Sequence, residues 1–184
     1  MKIFAAIFFI ALNLSAQTNP PAASPATVTT PATNPPPSAV QRAEQIRAEC
    51  VAGRRVICGK ILKVLPGGLV VDSGYADLLR APLNKSWLVP GSVSASRDAN
   101  QIETREPGSV CIGVVYLTNL PKSRGVKPKQ YDYVTLLGYP TGQYTYASVG
   151  EIKKTVRAFS ANILSAVNQN LAAEEKKAAV EPTK

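Results

Sequence analysis

Residues 55–73 read Arg-Val-Ile-Cys-Gly-Lys-Ile-Leu-Lys-Val-Leu-Pro-Gly-Gly-Leu-Val-Val-Asp-Ser. Arg55 to Leu65 and Leu69 to Ser73 are two apolar runs rich in β-branched residues. Between them Pro66-Gly67-Gly68 supplies turn chemistry, so the stretch predicts a β-hairpin. Working outward, the pattern repeats. Lys85 to Val89, Ser92 to Ser96, Val110 to Leu117 and Tyr131 to Leu137 read as further short strands. Their connections carry Pro90-Gly91, Pro107-Gly108, Gly125 with Pro128, and Tyr139-Pro140-Thr141-Gly142. Many short strands joined by such turns predict a mainly β domain, a small barrel or sandwich, over residues 54–159.

On the N-terminal side, Ser38 caps a predicted helix over 38–53. Its apolar positions Val40, Ala43, Ile46, Cys50 and Val51 recur at helical spacing, and Gly53 stops it. On the C-terminal side two patterns compete. Tyr144 and Tyr146 alternate like a strand, and Lys154 to Phe159 can pair back with it. Yet Ile152, Val156, Phe159, Ile163, Val167 and Leu171 also fit one helix face, with Ser148 and Glu151 as a capping box. The expectation is a strand over 143–147, a second over 153–159, and a helix from about 161, with a solvated, fraying end after Leu171.

Part of the opening hairpin, Gly59-Lys60-Ile61, Val64 and Gly68-Leu69-Val70-Val71-Asp72, resembles the first hairpin of S1-type OB-fold barrels. In that family one glycine lets the first strand bend and a second permits the turn into a valine-rich second strand. The likeness covers residues 59–72. It implies a small barrel of the OB or SH3 kind, and no ligand.

Met1-Lys2 followed by the apolar run Ile3 to Leu14 and the small pair Ser15-Ala16 has the anatomy of a signal peptide over residues 1–16. The run is shorter than the ~20 residues that span a membrane. Residues 17–37 contain seven prolines and no charge, which predicts a disordered, extended linker. The chain is therefore expected to be exported, periplasmic or secreted, with its charge lowered by one when Lys2 leaves.

The whole chain has 184 residues, 21 basic against 12 acidic, a formal charge of +9, and no histidine. Without imidazole there is no Ser-His-Asp or Cys-His pair and no histidine metal site. Cys50, Cys58 and Cys111 lack CxxC spacing, so neither metal nor cofactor is expected. In an oxidising compartment they allow one disulfide plus one thiol, with the pairing open, or three buried thiols. Asp72 with Asp77 and Glu103 with Glu106 are the carboxylate pairs that acid–base chemistry would require.

Two asymmetries point to binding. Lys122, Arg124, Lys127 and Lys129 put four positive charges into eight residues of a Gly/Pro loop without an acid. Arg54, Arg55, Lys60 and Lys63 form a second basic cluster, and Lys153, Lys154 and Arg157 a third. Five of seven tyrosines lie between residues 131 and 146. Tyr131 with Tyr133, and Tyr144 with Tyr146, would each share a strand face, and a turn at Tyr139–Gly142 would bring the two pairs together. The expected function is a non-catalytic envelope module. Its ligand residues would be Lys122, Arg124, Lys127, Lys129, Tyr131, Tyr133, Tyr144 and Tyr146. Their partner would be an anionic polymer, an anionic membrane surface or an envelope protein, with nucleic acid less favoured. A structural subunit assembling through sheet edges or helices, and a carboxylate-dependent enzyme, are the alternatives.

Overall fold

The computed structural model describes residues 38–76, 87–92, 95–122 and 126–180. The expected leader (1–16) and expected Pro-rich linker (17–37), Asp77, Arg124, the first two residues of the strand expected at 85–89, and residues 181–184 lie outside them.

Within the described residues the chain is mainly β, with one helix before the strands and one after. Helix α1 covers Ala39–Ala52. Ser38 Oγ accepts from the Gln41 amide while the Gln41 side chain accepts from Ser38 N, a reciprocal capping box. Helix α2 covers Ile163–Val180, with Asn162 Oδ1 accepting from Ser165 N at its start. It runs well past Leu171, where fraying was expected. Ile46 and Cys50 of α1 pack on Ala166 and Val167 of α2. Arg42 grips Glu174 through both carboxylate oxygens, its Nε 2.8 Å from Oε2. Val40 departs from the predicted apolar stripe, being 68% exposed in the first turn.

Among the described residues, six strands form one mixed sheet: β1 (Arg55–Leu65), β2 (Gly68–Ser73), β3 (Leu88–Val89), β4 (Gly113–Thr118), β5 (Tyr133–Ala147) and β6 (Lys153–Ser160). Their order is β1-β2-β4-β6-β5-β3, and β1 pairs with β5 as well. All pairings are antiparallel except β4 with β6, where Val115 lies opposite Arg157 and Thr118 opposite Ser160. The predicted hairpin is β1–β2, turning at Pro66-Gly67 with Gly67 at φ 103°. Of the described residues of the strand expected at 85–89, Leu88–Val89 are extended and Trp87 is not, and the described residues 92, 95 and 96 form no strand.

One expectation is corrected here. Tyr139–Gly142 is not a hairpin turn. It sits inside the continuous strand β5, which pairs with β1 as far as Gly138 and with β6 from Tyr139 onward. The register slips between Pro140 and Gly142, and Gly142 takes φ 111°. A proline without an N–H is tolerated at a bulge, where the ladder is already interrupted. The turn residues therefore bend one strand instead of joining two. The expected strands over 143–147 and 153–159 are present, and the competing helix across 148–160 does not form. A 3-10 turn at Val149–Glu151, with Gly150 at φ 73°, joins β5 to β6, and Ile152 is 61% exposed.

The sheet is apolar on both faces. Ile57, Ile61, Leu69, Val71, Val115, Leu117, Val134, Leu136 and Phe159 build the main core. The alternate residues Val70, Tyr116 and Ala158 face the other way, together with Leu62, Val114, Tyr144, Tyr146 and Val156. That second face carries the candidate site.

Candidate functional site

The site grows from the second face. Pairing of β5 with β6 sets Tyr144 opposite Val156 and Tyr146 opposite Lys154. Tyr144 stacks on Tyr116 of β4 with ring centroids 3.7 Å apart and planes 14° from parallel. Beyond this stack the face opens into a groove of about 690 Å³. Leu62, Val114 and Val156 line it with apolar surface. Gln130, Ser148 and Thr155 add neutral polar groups, Tyr131 and Tyr146 add rings, and Lys63 and Lys154 add charge. No carboxylate is among these lining residues.

Local backbone chemistry holds the groove in shape. Tyr131 N donates to Ile61 O at 2.9 Å and Ile61 N to Asp132 O at 2.8 Å, which ties the 129–132 turn to β1. The Asp132 carboxylate accepts from Lys129 N at 2.9 Å and Gly91 N at 3.2 Å. These contacts keep Tyr131 at φ 73°, uncommon for a residue with a side chain, and leave the residue 55% exposed. Lys60 Nζ stands 4.9 Å from that ring's centroid, in cation–π range. Lys63 Nζ donates to Ala147 O at 3.0 Å, linking β1 to the end of β5. A carbonyl partner orients the ammonium without neutralising it.

The expected ligand residues are redistributed. Tyr131 and Tyr146 line the groove, and Tyr144 lies beside it with one face covered by Tyr116. Tyr133 must be removed from the binding face. It is 7% exposed and meets Tyr75 edge-on at 5.6 Å, because the strand begins there and its alternation points that ring into a separate cluster with Val56 and Cys58. Lys122, Lys127 and Lys129 are exposed but do not line the groove, and Arg124 lies outside the described residues. Lys63 and Lys154 were present in the second and third basic clusters. Only the tertiary pairing reveals that these two lysines converge.

Among the described residues, several other charged groups are engaged with one another in ion pairs. Arg157 forks onto Glu103 at 2.7 and 2.8 Å, with Arg55 Nε 3.6 Å from the same carboxylate and Ile112 N donating to it at 3.0 Å. Burial alone would raise the Glu103 carboxyl. The Arg157 and Ile112 hydrogen bonds, with the charges of Arg157 and Arg55, outweigh burial and hold it below the usual range. A general acid needs the opposite shift. Asp72 is bound by Arg97 at 2.9 Å.

Glu103 ties the 98–112 segment to β1 and β6, and its lowered pKa has a sign. The stabilisation is full above the unfolded-state carboxylate pKa and is lost as pH falls through the folded one. Glu103→Gln is therefore expected to cost about 1 kcal/mol at neutral pH, the level of a partly exposed charge pair. Urea melts across acidic pH check this. The gap from wild type should close as the medium becomes more acidic, and a constant gap would contradict the assignment.

All three cysteines are free thiols and buried, so the single-disulfide alternative is not realised. Burial pushes Cys58 and Cys111 up to about 11. Cys58 donates to Tyr75 O at 3.3 Å, and Cys50 accepts from Asn170 Nδ2 at 3.2 Å. Among the described residues no group of three or more His, Cys, Asp or Glu could hold a metal ion, and no helix is long and apolar enough to cross a membrane.

No family model matches the chain, and neither a curated protein nor a solved structure matches it.

Proposed function

We propose that this chain is an exported, non-catalytic binding module of the cell envelope, which takes an anionic ligand in the groove between β1, β4 and the β5–β6 hairpin. The observation that carries the reading is the lining. Lys63 and Lys154 share a concave surface with Tyr131 and Tyr146, and no carboxylate opposes them. Its volume falls in the range of small-ligand sites, about 300–1,000 Å³. The loop lysines 122, 127 and 129 then act at a distance, their field drawing an anion towards the groove and raising the rate of capture.

The scaffold of this reading is a small barrel of the OB or SH3 kind, formed by β1, β2, β4, β6 and β5. In its support, β1 pairs with β2 through its second half and with β5 through its first, so the strand pairings form a ring. The leader and Pro-rich linker would deliver the module and hold it on a tether.

Affinity for an immobilised carboxylated polymer, measured across salt, tests the reading. Lys63→Ala/Lys154→Ala is expected to weaken binding about tenfold or more at low salt, equivalent to roughly 1.4 kcal/mol. The difference should shrink as salt screens the charges. Lys122→Ala/Lys127→Ala/Lys129→Ala should mainly slow association. If the groove variant binds like wild type at every salt concentration, the groove is not the site.

A further inference from the structure

The groove combines features that narrow its ligand. We infer that it accommodates a short segment of an acidic glycan, recognising carboxylate-bearing sugar rings; this rests on the anion-binding reading above. Three kinds of surface lie side by side in the lining. Lys63 and Lys154 supply point charges, Gln130, Ser148 and Thr155 supply amide and hydroxyl groups, and Leu62, Val114 and Val156 supply an apolar strip. A uronic acid ring presents the complementary set: one carboxylate, several hydroxyls, and a face of C–H groups that packs on apolar and aromatic surface. Tyr131 and Tyr146 add aromatic bodies with polar tips, suited to a ligand that is apolar on one side and wet on the other.

The same residues fit a phosphate polymer less well. Planar bidentate recognition of phosphate favours arginine, and no arginine lines the groove. The nearby Arg157 is already committed to Glu103. Nucleobases need open ring faces for stacking. Tyr116 already stacks on Tyr144, and Lys60 covers one face of Tyr131, so only Tyr146 and the other face of Tyr131 remain for stacking. Hydrogen bonding to a carbonyl leaves Lys63 with its charge and with two of an ammonium's three donor hydrogens, enough to meet a carboxylate.

The test is calorimetric titration of the folded protein with three probes: an oligogalacturonate, its methyl ester, and an oligothymidylate of equal charge. The acidic glycan is expected to bind about tenfold or more tightly than either of the others. Lys63→Ala/Lys154→Ala and Tyr131→Ala/Tyr146→Ala should each weaken it by a similar factor. Because Tyr131 holds an uncommon backbone conformation, Lys154→Ala alone, at an exposed strand position, provides a variant whose folding is not in question. It should still reduce glycan affinity several-fold. If the oligothymidylate binds as well as the acidic glycan and the lysine variants weaken both, the glycan inference fails while the anion groove stands. If the methyl ester binds as well as the acid, or if no probe binds, both fail.

Discussion

Alanine at Gly59 is expected to cost about 3 kcal/mol or more, a large fraction of the ~5–15 kcal/mol that holds a domain together. Gly59 is where β1 faces two partners at once, Ser73 of β2 and Val134 of β5. A Cβ there would fall on the Asp72 carbonyl oxygen, 2.6 Å from the carbon of that group and 2.7 Å from Ser73 Cα. All three are backbone atoms, so no change of rotamer relieves the overlap. The strands must part, breaking ladder bonds that nothing else replaces. Urea denaturation should show the midpoint collapsing or the folded baseline vanishing. Gly142→Ala is the informative contrast. Gly142 has φ 111° but nothing within 4 Å of an added Cβ, so its penalty is conformational alone, of the order of 1 kcal/mol. Equal effects at the two positions would refute the close-approach argument.

Phe159→Ala should produce the second large loss, about 3–5 kcal/mol, the usual cost of emptying an aromatic site in a core. The residue is 4% exposed and lies opposite Leu117 in the parallel β4–β6 pair. Gly138 crowds the same region. A Cβ there would stand 2.5 Å from Ile57 Cδ1 and 3.1 Å from Phe159 Cβ, so the neighbours are already close-packed around the ring. The urea midpoint should fall while the slope of the transition stays near wild type, since the surface exposed on unfolding hardly changes. Ile152→Ala, at a 61% exposed position, should stay within about 0.5 kcal/mol. Had 148–160 been one helix with Ile152, Val156 and Phe159 on its buried face, both substitutions would be costly. Comparable losses would thus restore the helix and overturn the strand.

Local chemistry was the readable part. Ser38 with its cap, the Pro66-Gly67 turn, and the strands around 143–147 and 153–159 all carry their evidence within a few neighbouring residues. Gly59 was marked only by the likeness to the S1-type hairpin, as a bend; its close approach to the Asp72 and Ser73 backbone emerges only once the strands are paired. Tyr139-Pro140-Thr141-Gly142 misled because proline and glycine interrupt a ladder equally well at a turn and at a bulge. Which one forms depends on β1 and β6, far away in the chain. The same dependence hid the site. Alternation alone equates Tyr133 with Tyr131, yet one is buried against Tyr75 and the other is held open by Ile61 and Asp132. Basic clusters can be counted along a sequence. Whether an arginine is neutralised by Glu103 or a lysine stands beside a groove depends on contacts the count does not contain.

The pairing of β1 with β5 also bears on how the protein reaches its native state. Arg55 opposite Gly138 joins the beginning of the sheet to its far side, and the parallel β4–β6 pair likewise waits for all of β5 to be laid down between them. Such contacts have high contact order: the entropy of closing long loops is lost before the contacts that reward it exist. Folding is thereby shifted to the slow side of the two-state range, with the local β1–β2 and β5–β6 hairpins formed well before they are joined. During that interval Val56, Ile57 and Cys58 have no partner strand. Under the proposed export, this is the interval in which a holding chaperone would matter most.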